Sequence, residues 1–173
     1  VRYGNVMGSR GSVIPLFLKL KKTGILPITD KSMTRFMISL REGIDLVKVA
    51  FNTMQGGEIF VKKIPSMKVI DIARTIGPDC EIKVIGVRPG EKIHEQMIGI
   101  ENSPYTYEYS DFFKILPEIH HWHSDPLRIG DGERVPEGFS YASDNNVQWM
   151  TPNELTNHIQ SELVLSNHID EMS

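Results

Sequence analysis

The chain has 173 residues, 40% of them apolar and 24% charged, enough for one ordinary globular domain and short of two comfortable ones. Lys and Arg number 19 against 22 Asp and Glu, a formal charge of -3, which leaves no strongly basic face to hold a nucleic-acid backbone by counterion release. The single cysteine, Cys80, forms no internal disulfide, and no run approaches the ~18 apolar residues of a membrane helix, so a soluble protein of a reducing compartment, most simply the cytoplasm, is expected.

The chain opens Val1-Arg2-Tyr3-Gly4-Asn5-Val6 with no initiator methionine and no charged lead into an apolar stretch. It reads as the inside of a strand rather than a natural start or a signal peptide, and a fragment of a longer protein is expected. Residues 1–7 then form a buried strand running into the loop Gly8-Ser9-Arg10-Gly11. Ser12 caps a helix to about Lys22, with Pro15 in its first turn and Gly24 as its stop. Residues 25–30 are extended around Pro27.

Ser39-Leu40-Arg41-Glu42 is a capping box, and Leu40, Ile44, Val47, Phe51 and Met54 follow at helical spacing, which predicts a helix. Gly56-Gly57 ends it, and 58–61 reads as a strand. Ser66 is expected to cap a further helix with Val69, Ile72, Ala73 and Ile76 on one face, stopped by Gly77-Pro78. Residues 82–87 form the next strand, and Arg88-Pro89-Gly90-Glu91 turns it into a short helix reaching about Met97.

Strand and helix thus alternate over 1–100, which argues for an α/β architecture with partly parallel strands and ligands at their carboxyl ends. Over 101–150 the character changes: Tyr105, Tyr107 and Tyr109 alternate as in a strand, and 117–138 is rich in Pro, Gly, His and charge. This stretch reads as a loop-rich extension of a single partial domain. A second capping box, Thr151-Pro152-Asn153-Glu154, opens a final helix to about Leu165.

Several clusters carry possible chemistry. Glycines at 4, 8 and 11 lie between a strand and a helix, but the dinucleotide fingerprint spacing is absent and no Gly-Lys-Ser/Thr follows. A tight strand-to-helix loop is the better reading. His120-His121-Trp122-His123 with Asp125 has the density of metal ligands without a rigid spacing or thiolates, and a solvated or interface loop explains it better. Arg88 and Glu91 are more balanced. A guanidinium forks onto phosphate and a carboxylate accepts from adjacent sugar hydroxyls, so the pair suits a nucleoside diphosphate; equally, Glu91 can complement a helix dipole and pair with Arg88. Arg35 offers a second cation, and two arginines match the two charges of a pyrophosphate. The Asn5 amide can donate to a phosphate or sugar oxygen, or bond its own turn.

Taken together, residues 2–8, Leu26-Pro27-Ile28-Thr29-Asp30, Met33-Thr34-Arg35-Phe36, Ile64-Pro65-Ser66-Met67, residues 88–95 and 140–146 resemble the C-terminal half of the extended short-chain dehydrogenase/reductase family. Within it they are most similar to the branch of inverting UDP-N-acetylglucosamine 4,6-dehydratases. The resemblance runs in order to about Leu155. It implies the C-terminal part of a Rossmann-like fold, mainly its substrate-binding subdomain, in an NAD(P)-dependent hydro-lyase that feeds nucleotide-sugar and surface-polysaccharide synthesis.

The resemblance further implies that Asn5 contacts the sugar nucleotide, that Ser12 and Val13 approach the uracil, and that Leu26 and Pro27 lie along the nucleotide. Arg35 and Arg88 match diphosphate ligands, Glu91 the ribose-binding acid, and Tyr3 lies near the nicotinamide end of the cofactor. The partners it implies are a UDP-sugar and further copies of the same chain, with no metal. In the family's reaction, hydride leaves C4 of the sugar, water is lost across C5–C6 and hydride returns to C6. That chemistry needs a glycine fingerprint and a Tyr-x-x-x-Lys pair, which the family carries upstream of the matching segment. Here Tyr3, Tyr105, Tyr107, Tyr109 and Tyr141 are followed four positions later by Met7, Tyr109, Asp111, Phe113 and Asn145, never lysine. An isolated chain is therefore expected neither to retain NAD(P) nor to turn over substrate, with no catalytic residue of its own. A sugar-nucleotide epimerase of the same superfamily and a non-catalytic binding or oligomerisation module are the alternatives. The strand at 1–7, lacking sheet neighbours, is expected to pair with another copy.

Overall fold

The structure is a computed structural model and describes residues 1–170. It is a mixed α/β fold, as the alternation of elements predicts. Strand β1 (Asn5–Val6) lies parallel to β3 (Thr34–Ile38), with Asn5 opposite Met37, and β3 pairs antiparallel with β5 (Ser66–Lys68). A second parallel pair joins β2 (Ile25–Ile28) to β6 (Glu81–Val84). The remaining strands are antiparallel: β4 (Ile59–Lys62), β8 (Thr106–Glu108), β9 (Phe112–Ile115) and β10 (Glu133–Arg134) form one sheet in the order β10-β8-β9-β4. A small ribbon of β7 (Gln96–Ile98) and β11 (Tyr141–Ala142) completes them.

Strand β3 divides the interior. Its side chains alternate with the period-2 geometry of a strand, so Phe36 and Ile38 enter one core with Val61, Phe113, Ile115 and Tyr141, while Met37 enters another. The second core is built by helices α1 (Val13–Leu20), α3 (Val69–Ile76) and α5 (Pro152–Asp170) against β2, through Phe17, Leu26, Ile72, Ile76 and Leu155. In α3 the predicted face of Val69, Ile72, Ala73 and Ile76 is buried, and each Val or Ile contributes about 1.5–3 kcal/mol by burial. Gly77 ends this helix where a larger residue does not fit: an added Cβ would lie 2.7 Å from Cys80 Sγ and 2.9 Å from Leu26 Cδ1.

Both capping boxes form. Ser39 and Glu42 exchange side-chain and backbone bonds ahead of α2 (Leu40–Thr53), and Thr151 with Glu154 does the same for α5. The face that α2 buries is not the one with the apolar repeat. Gly43, Leu46 and Ala50 point inward, whereas Leu40, Ile44, Val47, Phe51 and Met54 are exposed, Phe51 to 80%. Tyr3 packs across α2 at Gly43, where an added Cβ would lie in ordinary contact, 3.9 Å from the Tyr3 Cζ.

Three expectations are corrected. Strand 1–7 shortens to β1 plus an isolated bridge from Arg2 to Val61; Asn5 and Val6 pair in register with β3, and Met7 N–H adds a last bond to Ile38 O before the chain turns into the glycine loop. Ser66 is no cap: it lies in β5, wholly buried, and accepts from Asn146 Nδ2 at 3.0 Å, so Lys68 stands at the N-cap of α3. Residues 88–97 form no helix. The carbonyls of Lys92 and Ile93, which a helix would use internally, accept from the Arg35 guanidinium, and Ile93 O also accepts from Thr34 N–H.

The region 101–150 adds β8, β9 and β10 to β4 and is tied down by a buried ion pair. Arg128, in the short helix α4 (Pro126–Ile129), donates to Glu58 Oε1 at 2.9 Å and to Gly56 O at 3.0 Å, with its guanidinium stacked 3.8 Å from the Trp122 ring. No helix among the described residues is long and apolar enough to cross a membrane.

Candidate functional site

A cleft of about 310 Å³ opens at the carboxyl ends of the parallel strands β1, β2 and β6, where a doubly wound sheet places ligands. Its walls bring together Asn5, Ser12, Val13, Pro27, Arg35, Arg88 and Glu91, residues that span most of the first 100 positions. Leu26 does not join them. It is fully buried in the helical core, because alternation along β2 turns its side chain away from Pro27.

Glu91 is pre-oriented. One carboxylate oxygen accepts from Arg88 N–H at 3.1 Å and the other from the Thr29 hydroxyl at 3.2 Å, while Glu91 N–H closes a turn onto Arg88 O. A carboxylate has about four acceptor positions, so two remain for ligand hydroxyls. The Arg88 side chain forms no ion pair with Glu91 and is exposed at the cleft wall, so the surface-pair reading of these two residues does not describe the structure.

Arg35 lines the cleft with its guanidinium already bonded within the chain. Nη1 donates to Thr34 O at 2.7 Å and Ile93 O at 3.0 Å, Nη2 to Lys92 O at 2.9 Å, and Nε lies 3.7 Å from Glu95 Oε1. This guanidinium fastens the 88–95 loop to β3 and places a fixed positive charge behind the cleft. Ser12 stands at the N-cap of α1, its carbonyl accepting from Leu16 N–H but its side chain making no cap bond; its Oγ is buried without a hydrogen-bond partner, at the wall of the cleft.

A second hollow of about 390 Å³ adjoins the first through Asn5, which lines both, and is bounded by Tyr3, Gly4, Lys92, Glu95, Gln96 and Met97. Glu95 is its ionisable centre. Burial pushes this carboxyl above its usual value, while a bond from Phe36 N–H and the charges of Arg35 and Lys92 pull it back. Beside it, Thr34 Oγ1 bonds both His94 Nδ1 at 2.8 Å and Ser143 Oγ at 2.7 Å, locking the loop to the buried end of β3.

Thr29 and Glu95 were not singled out from sequence. Each lies inside a stretch that resembles the family, but only the fold shows Thr29 gripping Glu91 and Glu95 facing Asn5. The histidine cluster is elsewhere. His121 and His123 lie in a short 3-10 turn over Ile119–Ser124, His123 edge-on to Tyr105, and the His120 side chain lies outside the described residues. Among the described residues no group of three or more His, Cys, Asp or Glu is placed to hold a metal.

A family model described as polysaccharide biosynthesis protein matches residues 1–117. The chain belongs to this polysaccharide biosynthesis protein family. It is 49% identical over 161 residues to a UDP-N-acetylglucosamine 4,6-dehydratase (inverting) of Campylobacter jejuni subsp. jejuni, a match covering 89% of this chain and 48% of that protein. It is 43% identical over 119 residues to a UDP-glucose 4-epimerase of Rickettsia conorii, covering 66% of this chain and 35% of the relative. The X-ray structure of Pen from Bacillus thuringiensis superposes with a TM-score of 0.79 at 33% identity, covering 94% of this chain and 49% of that one. These similarities bear out the extended short-chain dehydrogenase/reductase resemblance. The chain spans about half the length of the dehydratase relatives it matches.

The glycine loop does not fit a dinucleotide pyrophosphate. Gly8 and Gly11 take turns at φ 78° and 77°, and a Cβ at Gly11 would meet nothing within 4 Å, so Gly11 does not serve the close helix-to-strand approach of a fingerprint glycine.

Proposed function

We propose that this chain is the substrate-binding half of a UDP-N-acetylglucosamine 4,6-dehydratase that supplies nucleotide sugars for surface polysaccharide. The observation that carries the reading is the convergence of Arg88, Glu91, Asn5, Ser12, Val13 and Pro27 on one cleft at the strand ends. The nearly 50% identity to dehydratases of that name supports the substrate.

In this reading the free Arg88 guanidinium takes the diphosphate, with the fixed charge of Arg35 behind it. Glu91, held by Thr29 and the Arg88 backbone, accepts from the ribose hydroxyls. The buried Ser12 hydroxyl and the start of α1 meet the uracil, and Pro27 packs along the nucleotide. Two localised arginines are enough for a doubly charged ligand on a chain of net charge -3.

The NAD(P) cofactor and the tyrosine-lysine pair belong to the other half of such an enzyme, with Tyr3 facing the second hollow at the junction. The chain by itself binds substrate and does not turn it over. The same reading proposes a cytoplasmic protein that assembles as a homo-oligomer. The similarity to UDP-glucose 4-epimerases favours one second reading, an epimerase, since the same cleft recognises the same nucleotide. An assay of this chain joined to a dinucleotide-binding half separates the two: UDP-N-acetylglucosamine yields a 4-keto-6-deoxy sugar if the dehydratase reading holds, and a C4 epimer without loss of water if it fails.

A further inference from the structure

The two hollows meet at Asn5, whose neighbour across the junction is a carboxylate. With the amide oriented as the hydrogen-bond network requires, Asn5 Nδ2 donates to Glu95 Oε1 at 2.6 Å and to Oε2 at 3.0 Å. Glu95 Oε2 also accepts from Phe36 N–H at 3.1 Å, and Arg35 Nε lies 3.7 Å from Oε1. Every group that faces this carboxylate is therefore a donor or a cation: Asn5 from β1, Phe36 and Arg35 from β3, and Lys92 from its own loop. An ionised carboxylate, which only accepts, suits that surround.

An amide whose nitrogen is claimed by a carboxylate turns its oxygen the other way. We propose that Glu95 is a positioning residue that holds Asn5 as a hydrogen-bond acceptor toward the cleft, so that Asn5 reads a hydroxyl or N–H of the sugar rather than a phosphate oxygen. This rests on the UDP-sugar reading of the cleft. Two features support it independently of each other. A carbonyl oxygen gives nothing to a phosphate, which itself has only acceptors at neutral pH. The Glu95 charge behind Asn5 also repels an anion, so the diphosphate belongs at the Arg88 end and the sugar at the Asn5 end.

The inference reverses the simplest expectation for this asparagine, that its N–H donates to the ligand. It also explains why Glu95 is kept in a half-buried place that disfavours its charge: replacing it by an apolar residue would leave the Asn5 amide free to rotate and to offer either end.

The test needs two measurements on the 173-residue chain. In ligand-free NMR spectra, the Asn5 side-chain amide, assigned by its loss in Asn5→Ala, is expected to shift with a single titration in mildly acidic solution, and Glu95→Gln is expected to abolish that titration. An Asn5 amide that titrates unchanged in Glu95→Gln, or does not titrate in the parent chain, overturns the proposal. In calorimetry, Glu95→Gln and Asn5→Ala are each expected to weaken UDP-N-acetylglucosamine by about tenfold while changing UDP by less than about threefold. Equal losses for both ligands overturn it, because Asn5 then reads the nucleotide or its phosphates. Should Glu95→Gln fail to fold, Asn5→Ala carries the ligand comparison. A parent chain that binds neither ligand contradicts the cleft reading itself, and the NMR titration then still decides whether Glu95 orients Asn5.

Discussion

Glu91 accepts from the backbone N–H of Arg88 at 3.1 Å, and this bond, with the Thr29 hydroxyl on the other oxygen, holds the carboxylate open to the cleft. The pair is thus organised through the main chain, which leaves the Arg88 side chain available. Replacing Glu91 by Ala should weaken UDP binding by about 1.5–3 kcal/mol, the range for hydrogen bonds to a charged group. Thr29→Val should produce a smaller loss, by letting the carboxylate swing. Calorimetry on the two variants orders these effects, and a larger loss for Thr29→Val would reverse the assignment.

Gly4 sets the spacing between β1 and β3. A Cβ there would lie 2.3 Å from Phe36 Cβ and 2.9 Å from Phe36 O, atoms of a buried strand that cannot yield. Gly4→Ala is expected to cost about 1–3 kcal/mol by overpacking and to displace Asn5, its neighbour in the chain. Urea unfolding measures the first effect and ligand affinity the second.

The α2 helix shows where periodicity stops being informative. Its start and length follow from the Ser39 capping box, yet the stripe with the stronger apolar pattern lies on the surface, and Gly43, Leu46 and Ala50 do the packing. Spacing reports which residues share a face and says nothing of what lies opposite. Phe51→Lys should therefore change the stability of this chain by less than about 0.5 kcal/mol, whereas Leu46→Ala should cost about 2–5 kcal/mol. Thermal or urea unfolding of the two variants gives the comparison.

The same limit applies to Ser66 and to 88–97. A serine ahead of an amphipathic run has the local signature of a cap, but pairing with β3 and the Asn146 amide claimed it instead. At 88–97 the competing partner was Arg35, 53 positions before Arg88, whose bonds to two loop carbonyls no local pattern reveals. By contrast Asn5, Pro27, Arg88 and Glu91 each belong to a stretch with a distinctive residue order, and the fold brings them to one cleft with Ser12 and Val13. Leu26 was legible as part of such a stretch and mistaken in direction, since strand alternation sends it to the core.

The Arg128–Glu58 pair should behave as a buried ion pair. Removing one partner, as in Glu58→Ala, leaves a guanidinium with 9% exposure facing only the more distant Asp125 carboxylate, 3.7 Å from Nε, and is expected to cost about 3 kcal/mol. Replacing both by Met should cost much less. Urea unfolding of the single and double variants tests this, and equal losses would contradict it.

Glu95 gives a pH dependence of defined sign. Burial raises its folded value above the usual 4.5, so between the two values the folded chain binds more protons than the unfolded one. Its contribution to stability is therefore greatest below about 4.5 and is lost as pH rises through the folded value. The stability of the parent chain minus that of Glu95→Gln should fall between pH 4.5 and neutrality; a difference that rises over this window would show the carboxyl to be depressed instead.

The central claim is that the cleft at the ends of β1, β2 and β6 is a nucleoside diphosphate site, and calorimetric titration of the 173-residue chain with UDP tests it most directly. The account predicts saturable binding of one UDP per chain, weakened by about tenfold or more in Arg88→Ala and in Glu91→Ala. Absence of saturable binding, or binding that neither substitution alters, would contradict it.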